Sequence, residues 1–371
     1  MMRNILFAVF AVCLVLPGCA PRGSLTVLPE AARTGTVVEI LVATSRGATD
    51  DATIAARARA DSVRWASVAV SIPPERTLGT VTFPSTSRVD PKTDFLTVAT
   101  RKFADETAFL RAVNARLAER PRGDREITLF VHGFNSNFAE GIYRHAQMAH
   151  DFRSPGISVS YAWPSAGSVR SYGFDRESAL FARDGLEETL ELLARSNAER
   201  IVVAGHSMGT IVVMEALRQM QIRGTGRALD KVQAVVLIAP DIDPDLFRAD
   251  VLALAPRELP IYISVSGRDR ALRASALLRG QAGGRLGSIQ NTDVIADLPG
   301  VLVIDVSNVQ GSGDPLNHFA VATSPAMIAF ISGLDRFGTT MLRDQERPAN
   351  VLEATVNAVT GVAEVVLPGQ K

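Results

Sequence analysis

Ser207 stands in "IVVAGHSMGT" (201–210), the pattern Gly-x-Ser-x-Gly. Such a match arises by chance about 0.1 times in a chain of this length, so its surroundings decide its meaning. Ile201 to Ala204 read as a short buried strand, and Ile211, Met214, Leu217 and Met220 recur on one face of a following helix. A sharp strand-to-helix turn needs small residues on both sides, here Gly205 and Gly209, and lifts the serine oxygen toward a cleft. The chemistry on offer is nucleophilic attack, with the Met208 N–H at the helix N-terminus available to a developing oxyanion.

A serine nucleophile needs a base. The chain holds five histidines: His132, His145, His150, His206 and His318. His206 adjoins the serine, so its side chain is expected to point away, and His145 and His150 read as solvated or satisfied residues of a helix. His132 ends the strand in "LFVHGFNSN". His318, in "GDPLNHFAVA", is the only histidine after Ser207, and on a sheet built around such a turn the chain order is nucleophile, acid, base. The acid must lie between them at a strand end. Asp269 in "YISVSGRDRAL" follows the penultimate strand and is preferred, with Asp241 and Asp243 in "VLIAPDIDPDLF" as the alternative. Its task is to accept the imidazole Nδ1–H and fix the tautomer. The "HGFN" segment after the strand at 127–131 offers the Phe134 N–H as a second oxyanion donor, with Gly133 permitting the turn.

The elements that must hold these residues alternate. Strands are expected at 126–133, 156–164, 200–207, 231–240, 260–267 and 300–307, with helices at 139–152, 176–196 and 208–221 between the earlier ones. Near-continuous apolar strands alternating with helices predict an α/β fold with a doubly wound, mostly parallel sheet. A first strand is expected at 37–46, an edge strand at 65–74, and a helix at 104–120 with Phe109, Val113 and Leu117 inward. Only about twenty residues separate "VLIAP" from "PIYISV", too few for a large cap. The stretches 162–175 and 270–299 are the expected walls of the site.

In order along the chain, "VHGFNSNFAEG", "SYAWPSAG", "GHSMGT", "LIAPDID", "SGRDRAL" and "NHF" resemble the α/β-hydrolase superfamily, and more narrowly a bacterial group of esterase/lipase-like hydrolases without assigned substrate. The resemblance spans roughly residues 37–335. It implies Ser207, Asp269 and His318 as a catalytic triad and Phe134 and Met208 as oxyanion donors, and it does not fix the substrate. A small-molecule carboxylic ester is expected, its acyl chain short or medium because neither wall stretch is a long apolar lid, with no metal or organic cofactor. Thioesterase, amidase, acyltransferase and lipase use the same triad, and a non-catalytic envelope scaffold could keep the fold.

Composition sets the bounds. The 371 residues are 47% hydrophobic and 21% charged with zero formal net charge, so there is no basic field to recruit nucleic acid. The two cysteines, Cys13 and Cys19, exclude a disulfide framework in the body of the chain. Arg3 and the apolar run from Ile5 to Leu16 read as a signal segment (1–18), and Leu16-Pro17-Gly18-Cys19 resembles the bacterial lipobox, implying lipidation at Cys19. Ala20 after the cysteine suggests, by the same resemblance, an outer-membrane anchor facing the periplasm. Residues 19–36 are expected as a tether and 37–335 as the hydrolase domain. The tail at 336–371 has apolar residues at helical spacing, but no basic polar face to lie on a membrane.

Overall fold

The computed structural model describes residues 22–334, except 48–56, 86–87, 281–283, 290, 292–293, 296 and 310–312, together with 364–366. The signal segment, Cys19 and most of the C-terminal tail therefore lie outside the described residues.

The strands are β1 (Thr36–Arg46), β2 (Arg59–Ile72), β3 (Leu96–Phe103), β4 (Glu126–Val131), β5 (Ile157–Ala162), β6 (Arg200–His206), β7 (Val232–Ile238), β8 (Ile261–Val265), β9 (Val301–Asp305) and β10 (Glu364–Val366). The helices are α1 (Glu106–Ala118), α2 (Phe138–Asp151), α3 (Tyr172–Ala194), α4 (Gly209–Arg223), the short α5 (Gly226–Leu229), α6 (Pro244–Leu254), α7 (Arg270–Leu278), the short α8 (Ala320–Thr323) and α9 (Pro325–Leu334). One sheet runs in the order β10-β9-β8-β7-β6-β4-β5-β1-β2-β3. β9 through β1 in that order pair in parallel, while β2, β3 and β10 join antiparallel at the edges. The doubly wound, mostly parallel sheet expected from the alternating pattern is the one observed.

Alternation along each strand sorts side chains to two layers. Ile127, Leu129 and Val131 of β4 face a core shared with α1, α3, α4 and α6. Phe130 faces the other layer, with Met148 of α2, α8 and Met327 of α9. α1 buries Phe109, Val113 and Leu117, the predicted face, and starts where the Asp105 side chain accepts the Ala108 N–H at 2.7 Å. α2 begins with a capping box between Asn137 and Glu140. α4 stops at Gly224, whose φ of 72° suits glycine.

Two differences from the sequence reading concern the left side of the sheet. The 65–74 strand begins at Arg59 and is not the edge, because β3 pairs along its outer side. Residues 22–36 are not a free tether. Leu28 N–H donates to Thr97 O at 2.8 Å, Thr97 N–H donates to Thr26 O at 2.9 Å, and Ser71 Oγ donates to the carbonyl of buried Ala31 at 3.0 Å. This segment crosses β3 as a strap, since its backbone groups satisfy those of the edge.

Candidate active site

β6 delivers Ser207 into the turn before α4 with φ at 52°, a left-handed conformation that a non-glycine residue adopts at a cost of order 1–3 kcal/mol. Hydrogen bonds hold it there. Ser207 N–H donates to Ile238 O at 2.9 Å, while Ser207 O accepts from Thr210 N–H at 3.1 Å, Thr210 Oγ1 at 2.5 Å and Asp241 N–H at 3.2 Å. The flanking glycines are required by contact. A Cβ on Gly209 would run into the carbonyl oxygens of His132 and Val131, and one on Gly205 would lie 3.1 Å from Thr210 Cα. A Cβ on Gly133 would sit 2.9 Å from Ser207 Cβ, so the end of β4 abuts the serine. Ser207 is 5% exposed.

His318 lies in the loop after β9. Asp314 shapes that loop: its Oδ2 accepts the N–H groups of His318 (2.6 Å) and Phe319 (2.7 Å), and its Oδ1 that of Leu316 (2.9 Å). Asp269, fully buried at the start of α7, divides its oxygens. Oδ1 caps the helix by accepting Leu272 N–H at 2.9 Å, and Oδ2 lies 2.7 Å from His318 Nδ1. With Nδ1–H donated to the carboxylate, Nε2 carries the free lone pair. The alternative acids are occupied elsewhere. Buried Asp241 accepts from Arg285 Nε (2.6 Å), Ser275 Oγ (2.8 Å) and Tyr172 OH (2.9 Å). Asp243 caps α6 through the N–H groups of Asp245 and Leu246. Thus Asp269 meets His318, and Asp241 and Asp243 do not.

The backbone N–H groups of Phe134 and Met208 donate to no other group among the described residues. Phe134 is held by an edge-on contact of its ring with Tyr172, centroids 5.2 Å apart. Met208 is the N-cap of α4, whose first-turn dipole points at the serine.

Two histidine expectations need correction. His206 does not point away from the site: its ring lies 4.8 Å from that of His318 and 4.1 Å from Phe319. Burial first, and the proximity of His318 second, hold its pKa well below the usual imidazole range, so it is neutral beside His318. His145 is not solvated but buried against Phe130, and burial pushes it down to about 3. His150 is satisfied by Asp151, 3.0 Å away. His132 stacks on Trp163 and is pushed to about 3, chiefly by burial.

A cleft of about 580 Å³ is lined by His318, His206 and Gly133, with Phe83, Arg144 and Phe319 among its further wall residues. Ser207 is not one of the wall residues. The walls come from 130–144, at the end of β4 and the start of α2, from 79–83, between β2 and β3, and from 313–319; the expected walls, 162–175 and 270–299, do not line it. Sequence reading also missed Asp175. It accepts from Ser165 Oγ and Ala166 N–H, both at 2.6 Å, and from Asn135 N–H at 3.5 Å, tying "WPSAG" to the "HGFN" turn. Burial raises its pKa. No cluster of three metal-type ligands occurs among the described residues.

A central parallel sheet, a strained serine between strand and helix, and an Asp–His pair on the following strand ends define the α/β-hydrolase class. The profile of the family described as "Alpha/beta hydrolase of unknown function (DUF900)" matches residues 105–334, and the chain belongs to that family of hydrolases. No curated protein is similar enough to match. Among solved structures the chain is similar to Aspergillus fumigatus lipase B, with 13% identity and a TM-score of 0.42 over 70% of this chain. It spans 62% of that lipase.

Proposed function

We propose that this hydrolase cleaves carboxylic esters through Ser207, His318 and Asp269. The observation that carries the reading is the 2.7 Å contact between His318 Nδ1 and buried Asp269, two strands from a serine held at positive φ. In the proposed cycle, Ser207 Oγ attacks the ester carbonyl carbon as its proton passes to His318 Nε2. The Phe134 and Met208 N–H groups hold the oxyanion, a donor pair in which each member typically contributes about 10²–10³ in kcat. The alcohol leaves with the proton from His318, and water returns the acyl group as the free acid. No step calls for a metal or organic cofactor. With only about twenty residues between β7 and β8, too few for a large cap, the proposed acyl chain is short or medium. Acylated Cys19 would anchor the protein in the bacterial envelope, at the outer membrane facing the periplasm.

A fluorophosphonate probe tests the nucleophile. Labelling at Ser207, located by mass spectrometry and lost in Ser207→Ala and His318→Ala, is the expected result. Folded protein that takes no label overturns the reading in favour of a non-catalytic scaffold. Turnover of p-nitrophenyl esters of increasing chain length, beside a thioester and an anilide, then separates esterase from thioesterase, amidase and lipase.

A further inference from the structure

The three most exposed large apolar side chains among the described residues are Leu277 (82%), Leu278 (71%) and Val169 (67%). They do not lie on unrelated parts of the surface. Leu277 and Leu278 form the last turn of α7, and Val169 precedes Tyr172, whose OH lies 2.9 Å from Ser275 Oγ of α7. α7 buries Leu272, Ser275 and Ala276 on one side. It carries exposed Arg270 and Arg273, with no acidic residue along its length, while Arg279 at its C-cap turns inward toward Tyr172. Arg170 is exposed beside Val169. Exposed leucines between arginines, without acids, are the composition of a helix that lies in a lipid interface.

The chain enters the domain at the same face. Arg22 donates to Asn135 O at 2.8 Å and pairs with Glu140 at 2.6 Å, and a Cβ on Gly167, two residues before Val169, would lie 3.0 Å from Arg22 Nη2. Cys19 is three residues upstream, a reach of about 10 Å when extended.

We propose that the face formed by Val169, Leu277, Leu278 and the arginines around them docks on an anionic phospholipid bilayer, turning the site toward that surface. The charge of α7 selects an anionic surface, and the short link from Arg22 to Cys19 places the anchor beside it; that second argument rests on the anchoring proposed above. Because Asp269 caps α7 and meets His318, the docked helix is also the one that supports the base.

The test reads orientation on the full chain with Cys13→Ser and Cys19→Ser. A bimane label is placed at Leu278→Cys, or at Ile222→Cys, which is equally accessible at the far end of α4, about 20 Å along the helix from Ser207. The chains are bound to phosphatidylglycerol/phosphatidylcholine vesicles carrying a nitroxide lipid. The expected result is at least twofold stronger quenching at 278 than at 222. The difference should shrink in pure phosphatidylcholine, in high salt, and when Arg170→Gln and Arg273→Gln are added. Equal quenching at both positions overturns the proposal. So does a label at 278 already shielded without lipid: dimers by light scattering would then assign the face to a second copy, and monomers to another segment of this chain. Fluorophosphonate labelling of the same samples keeps the two readings apart. Label at Ser207 without differential quenching removes the docking alone, and differential quenching without label removes the hydrolase chemistry alone.

Discussion

At the scale of single residues, the two buried aspartates near the site have different work, and substitution separates them. Asp269 spends one oxygen on α7 and one on His318, whereas Asp241 pairs at 2.6 Å with Arg285, whose side chain is fully buried. Asp269→Asn is expected to lower kcat by about 10⁴-fold, because the amide offers Nδ1 the wrong partner and tautomer, while the melting temperature changes little. Asp241→Asn is expected to cost stability instead, about 3–5 kcal/mol, since it removes one charge from a buried ion pair. Paired kinetics and thermal melts check both. Loss of activity in folded Asp241→Asn with full activity in Asp269→Asn would reverse the assignment. The turn at Ser207 and the strand-end positions of Asp269 and His318 were legible in the sequence because periodicity and chain order constrain them. His206 and His145 were not. Their environments come from Phe319 and Phe130, residues that local spacing does not connect to them.

Elements carry the next layer. α4 and α6 meet at Asp250, whose pKa is raised to about 7 by burial first, then by Glu215, with Arg218 opposing. An acid with a raised native pKa keeps its proton in the folded state while the unfolded chain, near pH 4, has lost it. Between those values the folded state binds more protons, so stability falls as pH rises from about 4 to 7 and is flat above. Asp250→Asn is therefore expected to raise the melting temperature at pH 8 more than at pH 4. Equal shifts at both values would show that the proton at Asp250 is not the cause. The parallel strands were readable as apolar runs bounded by turns. β3 was not, because Ala99, Thr100, Arg101 and Lys102 leave it exposed and polar, without the alternation that marks a half-buried strand. Its pairing to β2 is what reveals it.

The whole molecule is tied together on its antiparallel side by the strap at 22–35. Its bonds to Thr97 and Ser71 contribute about 1 kcal/mol each, and a kcal/mol moves the melting temperature of a chain this size by about 2–4 °C. A chain beginning at Thr36 is expected to melt roughly 5–10 °C lower in a thermal denaturation scan, where removal of a free tether would leave it unchanged. Gly/Pro content suggested a tether because composition reports what a segment can do alone, not that an edge strand is waiting to receive it.

The crowding around Ser207 has a consequence for how such a protein can change over generations. Positions 133 and 209 have no room for even one added methyl group, so the turn around Ser207 is closed to variation in side-chain size. The cleft is bounded on one side by the end of β4, the start of α2 and His206, and on the other by 79–83 and 313–319, stretches outside the parallel strands. Freedom to vary is thereby greatest in the two connecting segments: lineages can trade one set of outer wall residues for another while the glycine-packed turn around Ser207 is inherited unaltered.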